Sequence, residues 1–129
     1  MVAEGRDLRV EFDGKLALDV ASIRLEPGRV FTVMGPNGSG KSTLAQVLGL
    51  LREPQSGQLR LFDQDITGAT DRKALRRRMG TVFQAPLLLR GTVRKNVLSG
   101  LRIRGVNRRD AERRAYEWME RMRISDLAE

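Results

Sequence analysis

Gly35-Pro36-Asn37-Gly38-Ser39-Gly40-Lys41-Ser42-Thr43 is the stretch on which the reading of this chain turns. It satisfies G-x-x-x-x-G-K-[ST], the pattern of a phosphate-binding loop. Glycines at 35, 38 and 40 let successive backbone N–H groups turn inward around an anion. A helix starting near Lys41 adds the positive end of its dipole at the same place. Lys41 can reach terminal phosphates as a point charge, and the Ser42 hydroxyl can ligate Mg²⁺. A dinucleotide-binding loop explains the stretch less well, because the spacing is not G-x-G-x-x-G and Lys41 has no role there.

The flanks agree with the loop. Val30-Phe31-Thr32-Val33-Met34 is a short apolar run rich in β-formers and reads as a buried strand. Thr43-Leu44-Ala45-Gln46-Val47-Leu48 reads as a helix, which completes the strand–loop–helix setting. Towards the N-terminus, residues 8–12 alternate with period two and predict a half-buried strand. Asp13-Gly14 signals a turn, and residues 16–25 predict one or two short strands ended by Pro27-Gly28. Towards the C-terminus, residues 58–62 predict a strand, with Asp63-Gln64 as a turn. Asp71 can cap a short basic helix over 72–79, stopped by Gly80. Thr81-Val82-Phe83 is a short β-rich run ending at Gln84. Past Pro86 the character becomes helical. One helix is predicted over 92–103 and a second over 108–123, capped by Asn107 with Asp110 three residues on. Ala111, Ala115, Trp118, Met119 and Met122 form the predicted apolar stripe of the second.

Composition limits the function classes. The 129 residues fit one domain by length, with 40% apolar and 31% charged residues and no run long enough to span a bilayer. The N-terminus carries Glu4 and Asp7 in place of a secretory apolar region. No Cys and no His are present, which excludes disulfides, thiolate metal sites and imidazole chemistry. The cytosol is the default compartment. Net charge is +8, unevenly spread: residues 1–65 hold 8 basic and 9 acidic side chains, residues 66–129 hold 16 and 7. The basic half fits nucleic acid, anionic lipid or an acidic protein partner. A general preference for Arg, 20 of the 24 basic residues, accounts for it equally well.

With these residues in view, the sequence resembles the ATP-binding subunit of ABC transporters along nearly its whole length. The resemblance is carried by the Gly-Pro-Asn-Gly-Ser-Gly-Lys-Ser-Thr loop and by Phe12, 23 positions before Gly35. It is carried further by Leu48-Gly49-Leu50-Leu51 with Pro54 and Ser56-Gly57, and by Val82-Phe83-Gln84. It implies an α/β fold of the P-loop NTPase, ABC type. An N-terminal antiparallel β subdomain and the phosphate loop would occupy residues 1–86, and the start of a helical subdomain residues 87–129. ATP and Mg²⁺ are the implied cofactors. Gly35, Pro36, Asn37, Gly38, Ser39, Gly40, Lys41, Ser42 and Thr43 would cradle ATP, and Phe12 would stack its adenine. Ser42 and Gln84 would ligate the metal, with Lys41 and Gln84 taking part in catalysis. The implied partners are a transmembrane permease subunit and a second ATP-binding subunit, at the inner face of the cell membrane.

The departures are as informative. The family's C-terminal half carries a Leu-Ser-Gly-Gly-Gln signature, an acidic strand and a switch histidine, and this sequence has none of them. Leu98-Ser99-Gly100-Leu101 falls 14 residues after Gln84 and lacks the second Gly and the Gln, so it reads as helix. The core sheet is therefore expected to be incomplete, and the chain reads as the N-terminal half of such a subunit, without ATPase activity on its own. The segments 84–90 and 100–105 look most like importers of oxyanions such as tungstate, molybdate or phosphate. The alternative is an ABC-type, nucleotide-dependent module acting on nucleic acid, motivated by the Arg-rich last third. Tyr116 and Trp118 are the only aromatics there, which disfavours a nucleic-acid partner.

Overall fold

A computed structural model of the chain describes residues 1–66, 71–85 and 88–128. The described chain divides into two compact units, Met1–Thr81 and Val82–Glu129. The predicted change of character at Pro86 and Leu87 lies outside the described residues.

In the first unit, β1 (Ala3–Phe12) is central in a four-stranded antiparallel sheet of order β2-β1-β3-β4. Its neighbours are β2 (Lys15–Leu25) and β3 (Ser56–Leu61), and β3 also pairs with the short β4 (Gln64–Asp65). β1 is longer than its alternation predicts. Ala3 and Gly5 face the core, then Leu8 and Val10 do, so the parity changes between them. The change sits at Asp7, whose backbone is left-handed (φ 50°), where the register with β3 slips by one residue. Asp tolerates that conformation better than most side chains. A second slip opposite Val10 and Glu11 leaves Ala17 of β2 without a partner in β1. Leu8, Val10, Leu18, Leu59 and Leu61 of the sheet are buried with Leu44 and Val47 of α1 (Lys41–Leu48) and Leu75 of α2 (Arg72–Arg77). Asp71 caps α2 as predicted, its Oδ1 accepting from the backbone N–H of Lys73 (3.0 Å) and Ala74 (3.1 Å).

The second unit is a helical pair, α3 (Val93–Ile103) and α4 (Arg108–Arg121), followed by a 3₁₀ turn, Ser125–Leu127. Thr92 caps α3, and Leu98-Ser99-Gly100-Leu101 is its interior. Asn107 caps α4, and the cap is reciprocal. The Asp110 N–H donates to Asn107 Oδ1 (3.0 Å), and Asn107 Nδ2 donates to Asp110 Oδ2 (2.7 Å). Ala111 and Ala115, one turn apart, give α3 a shallow surface against which Leu98 is buried. The Arg94–Glu112 ion pair (2.7 Å) spans the two helices at the surface.

Two expectations are corrected. Residues 30–34 are not a buried strand. They carry no regular hydrogen-bonded structure, and Val30 and Met34 are 95% and 86% exposed. Residues 81–83 behave alike, with Val82 98% exposed. A strand exists only as one side of a ladder, and among the described residues neither segment has a ladder partner. The apolar stripe of α4 is also narrower than predicted. Ala111, Ala115 and Met119 are buried, but Trp118 and Met122 are exposed. Trp118 instead lies beneath the Arg121 guanidinium, 5.2 Å from its ring centroid.

Candidate functional site: the loop before helix α1

Residues 35–40 form the approach to α1. Ser39 N–H donates to the Pro36 carbonyl (3.3 Å), which closes the Asn37-Gly38 turn. Gly40 takes the N-cap position in a left-handed conformation (φ 85°), and no side chain caps the helix there. A Cβ at Gly40 would lie 2.6 Å from the carbonyl oxygen of Ala17, which the register slip leaves without a partner in β1. Backbone conformation and close approach therefore both require glycine. This contact seats the loop on the β1–β2 hairpin. Leu44 and Val47 anchor the other end by burying the inner face of α1.

Lys41 is the first residue of α1 and folds back over the loop. Its ammonium donates to the carbonyls of Gly35 (2.9 Å) and Pro36 (2.6 Å) and approaches Ser39 Oγ (3.5 Å). Ser42 is exposed and Thr43 half-buried. Residues 35–43 contain no carboxylate, and the first turn of α1 has none. One cation, hydroxyls and uncapped helix N–H groups form a donor set that fits a polyphosphate anion. Lys41 and Ser42 also border a cleft of about 390 Å³ walled by Ile23, Leu25, Phe31, Val33 and Leu48. Among the described residues no group of three or more acidic, His or Cys side chains is placed to hold a metal ion.

Phe12 ends β1 on the hairpin that carries Ala17 and is 38% exposed. Its ring is covered by the guanidinium of Arg52, 4.2 Å from the centroid. Arg52 in turn is tied to α1: its backbone N–H donates to the Gln46 carbonyl and its Nε to Gln46 Oε1, both at 3.2 Å. Gln55 fixes the backbone next to the ring. Its side chain accepts from Glu11 N–H (3.1 Å) and donates to Glu11 O (2.9 Å). Sequence reasoning missed Arg52, Gln46 and Gln55, because nothing local to them signals a contact with β1. Gln84 lies in the second unit, exposed, within a bend next to half-covered Phe83. The structure brings the loop residues, Lys41 and Ser42 together within the first unit, and Gln84 belongs to the second.

A G-x-x-x-x-G-K-[ST] loop running into a helix whose first residue is its lysine marks the class of phosphate-binding-loop proteins. Within that class this chain belongs to the ABC transporter family, whose profile matches residues 18–129. It is 38% identical over 121 residues to the methionine import ATP-binding protein MetN of Xanthomonas campestris pv. campestris (strain 8004), covering 90% of this chain and 36% of that protein. It is 34% identical over 132 residues to the lipoprotein-releasing system ATP-binding protein LolD of Porphyromonas gingivalis, covering 99% of this chain and 60% of the relative. The chain therefore spans between about a third and three fifths of these curated relatives. Its fold matches that of the ATP-binding cassette MJ0796 bound to ADP and Pi (TM-score 0.81, 24% identity, 98% of this chain and 60% of that one). It also matches cbiO1 from Clostridium perfringens, part of the cbiONQ transporter complex (TM-score 0.79, 26% identity, 99% and 53%).

Proposed function

We propose that this chain is the nucleotide-cradling part of the ATP-binding component of an ABC transporter. The observation that carries the reading is the Lys41 ammonium held over the loop carbonyls at the uncapped start of α1. On binding, the terminal phosphates of ATP replace those carbonyls as partners of Lys41. The N–H groups of residues 38–43 hold the bridging and β-phosphate oxygens, and Phe12 offers its ring to adenine. Mg²⁺, when bound with ATP, offsets phosphate charge, and Ser42 and Gln84 would be its ligands from this chain. Residues 1–86 act as the nucleotide-binding part and 87–129 as the start of a helical subdomain. Its partners are a transmembrane permease subunit and a second ATP-binding subunit, which place the component at the inner face of the membrane. No helix among the described residues is long and apolar enough to cross a membrane itself.

The resemblance of residues 84–90 and 100–105 supports an oxyanion as cargo. The relatives named for methionine import and lipoprotein release set the competing outcomes. Calorimetric titration tests the nucleotide reading. ATP·Mg²⁺ binds the chain, adenosine at the same concentration does not compete, and failure of ATP to bind rejects the proposal. Positioning and charge stabilisation carry phosphoryl transfer, and this sequence has neither the signature nor the acidic strand. Phosphate release by the chain alone is accordingly expected to equal that of its Lys41→Ala variant. Oxyanion uptake by cells with and without an intact copy of the gene tests the cargo.

A further inference from the structure

The contact between Arg52 and Phe12 is the feature that the function proposed above does not absorb. A planar guanidinium 4.2 Å from the ring centroid occupies the space in which a planar base would stack. The backbone beside the ring is held at two points. Gln55 clamps the Glu11 backbone, and the Arg52 backbone is held by the Gln46 carbonyl. The guanidinium itself is held by one side-chain bond, Nε to Gln46 Oε1, so rotation of the side chain uncovers the ring without moving the backbone. Gln46 belongs to α1, the helix that begins at the phosphate-binding lysine.

We infer that Arg52 is a built-in competitor for the face of Phe12, and that a nucleobase stacks there only after the guanidinium has moved off the ring. The inference rests on Phe12 being the base platform of the proposed ATP site. It makes Arg52 a residue that sets how much of the affinity comes from the base. An exposed or half-buried cation over an aromatic ring stabilises by an amount equivalent to about two- to fivefold in binding. That factor is what the base must overcome.

The test compares ATP with inorganic tripolyphosphate, which has the phosphates and no base, by titration calorimetry on the full chain. Removing the Arg52 charge weakens attraction for both anions alike, so the ratio of the two affinities is the readout. Arg52→Met is expected to raise the preference for ATP about two- to fivefold. Arg52→Lys, which keeps the charge without the flat stacking group, falls between. In the Phe12→Leu background the effect of Arg52→Met on the ratio vanishes. An unchanged or reduced preference for ATP in Arg52→Met overturns the inference, because Arg52 is then a bystander or a support for the base. Circular dichroism of each variant, matched to that of the parent, excludes misfolding as the source of a change. Failure of the ATP reading itself looks different: neither ligand binds the parent chain, or both bind Lys41→Ala unchanged, and the inference falls with it.

Discussion

Lys41 is held by neutral acceptors that, in the proposed ATP site, a phosphate would replace. Its ammonium is satisfied by two carbonyls and approaches a hydroxyl, all neutral acceptors. Phosphate oxygens carry full charge and make shorter, stronger bonds to a cation. The exchange of carbonyls for phosphates is therefore favourable, whereas the loop backbone keeps its shape through Gly40 and Ala17. Bonds to charged groups contribute about 1.5–3 kcal/mol. Lys41→Ala is thus expected to weaken ATP binding by about ten- to a hundredfold. AMP, whose single phosphate sits on the loop backbone, should lose much less. Equal loss for both nucleotides in calorimetry argues against the assignment of Lys41 to the terminal phosphates. This residue was legible in the sequence because glycine spacing and lysine are adjacent in the chain. The guard over Phe12 was not, because Arg52 reaches the ring only after β3 has paired with β1 and Gln55 has met Glu11.

Among the elements, those whose cause is local came out as read. Asp71 and Asn107 each cap the helix that follows, because a short polar side chain and a free N–H two or three residues on are all that a cap needs; Thr92, which the sequence places as the first residue of its helix, is the cap of that helix instead. The reciprocal cap of α4 carries a pH dependence. The Asn107 amide and then Arg113 hold the Asp110 carboxyl below the ordinary carboxylate range. The folded chain thus gives up this proton more readily than the unfolded chain. The stabilisation is complete above the ordinary aspartate value, about pH 4, and fades as pH falls through and below it. Helical circular dichroism followed downward from pH 6 should show an acid loss that Asp110→Asn removes in part. An identical acid limb in the variant rejects the role. Elements whose cause is distant were misread. β1 was predicted from Leu8 because the left-handed turn at Asp7 reverses the alternation that marks a strand. Residues 30–34 have the composition of a buried strand, but burial comes from neighbours, and composition does not report whether neighbours are there. The antiparallel hairpin needs only adjacent chain, so it forms.

At the scale of the whole molecule the two units differ in what holds them. Among the described residues the first buries eleven apolar residues in one cluster around the sheet, α1 and α2. The second has Leu98, Ala111 and Ala115 at its centre, with Val97, Leu101 and Val106 partly covered around them. Deleting the Leu98 side chain should cost about 2–5 kcal/mol, enough to melt the helical pair given how little else it buries. Against these cores stands a set of large apolar side chains left in water: Val30, Met34, Val82 and Leu88 are each more than 70% exposed. Exposed apolar surface on this scale favours association between copies, while the net charge of +8 opposes it. Charge repulsion is screened by salt within about 10 Å at 0.1 M, and burial of apolar surface is not. The chain alone is therefore expected to be marginally stable and to self-associate as salt is raised. Its two cores should also report separately: Trp118 fluorescence follows α4, while far-ultraviolet circular dichroism follows sheet and helices together. Urea unfolding watched by both probes, with sedimentation velocity at low and high salt, tests this. Two non-coincident or broad transitions, and a sedimentation coefficient that rises with salt, are the expected result. A single sharp transition shared by both probes, from a chain that stays monomeric at high salt, would refute it, since that behaviour requires one core that leaves no such surface exposed.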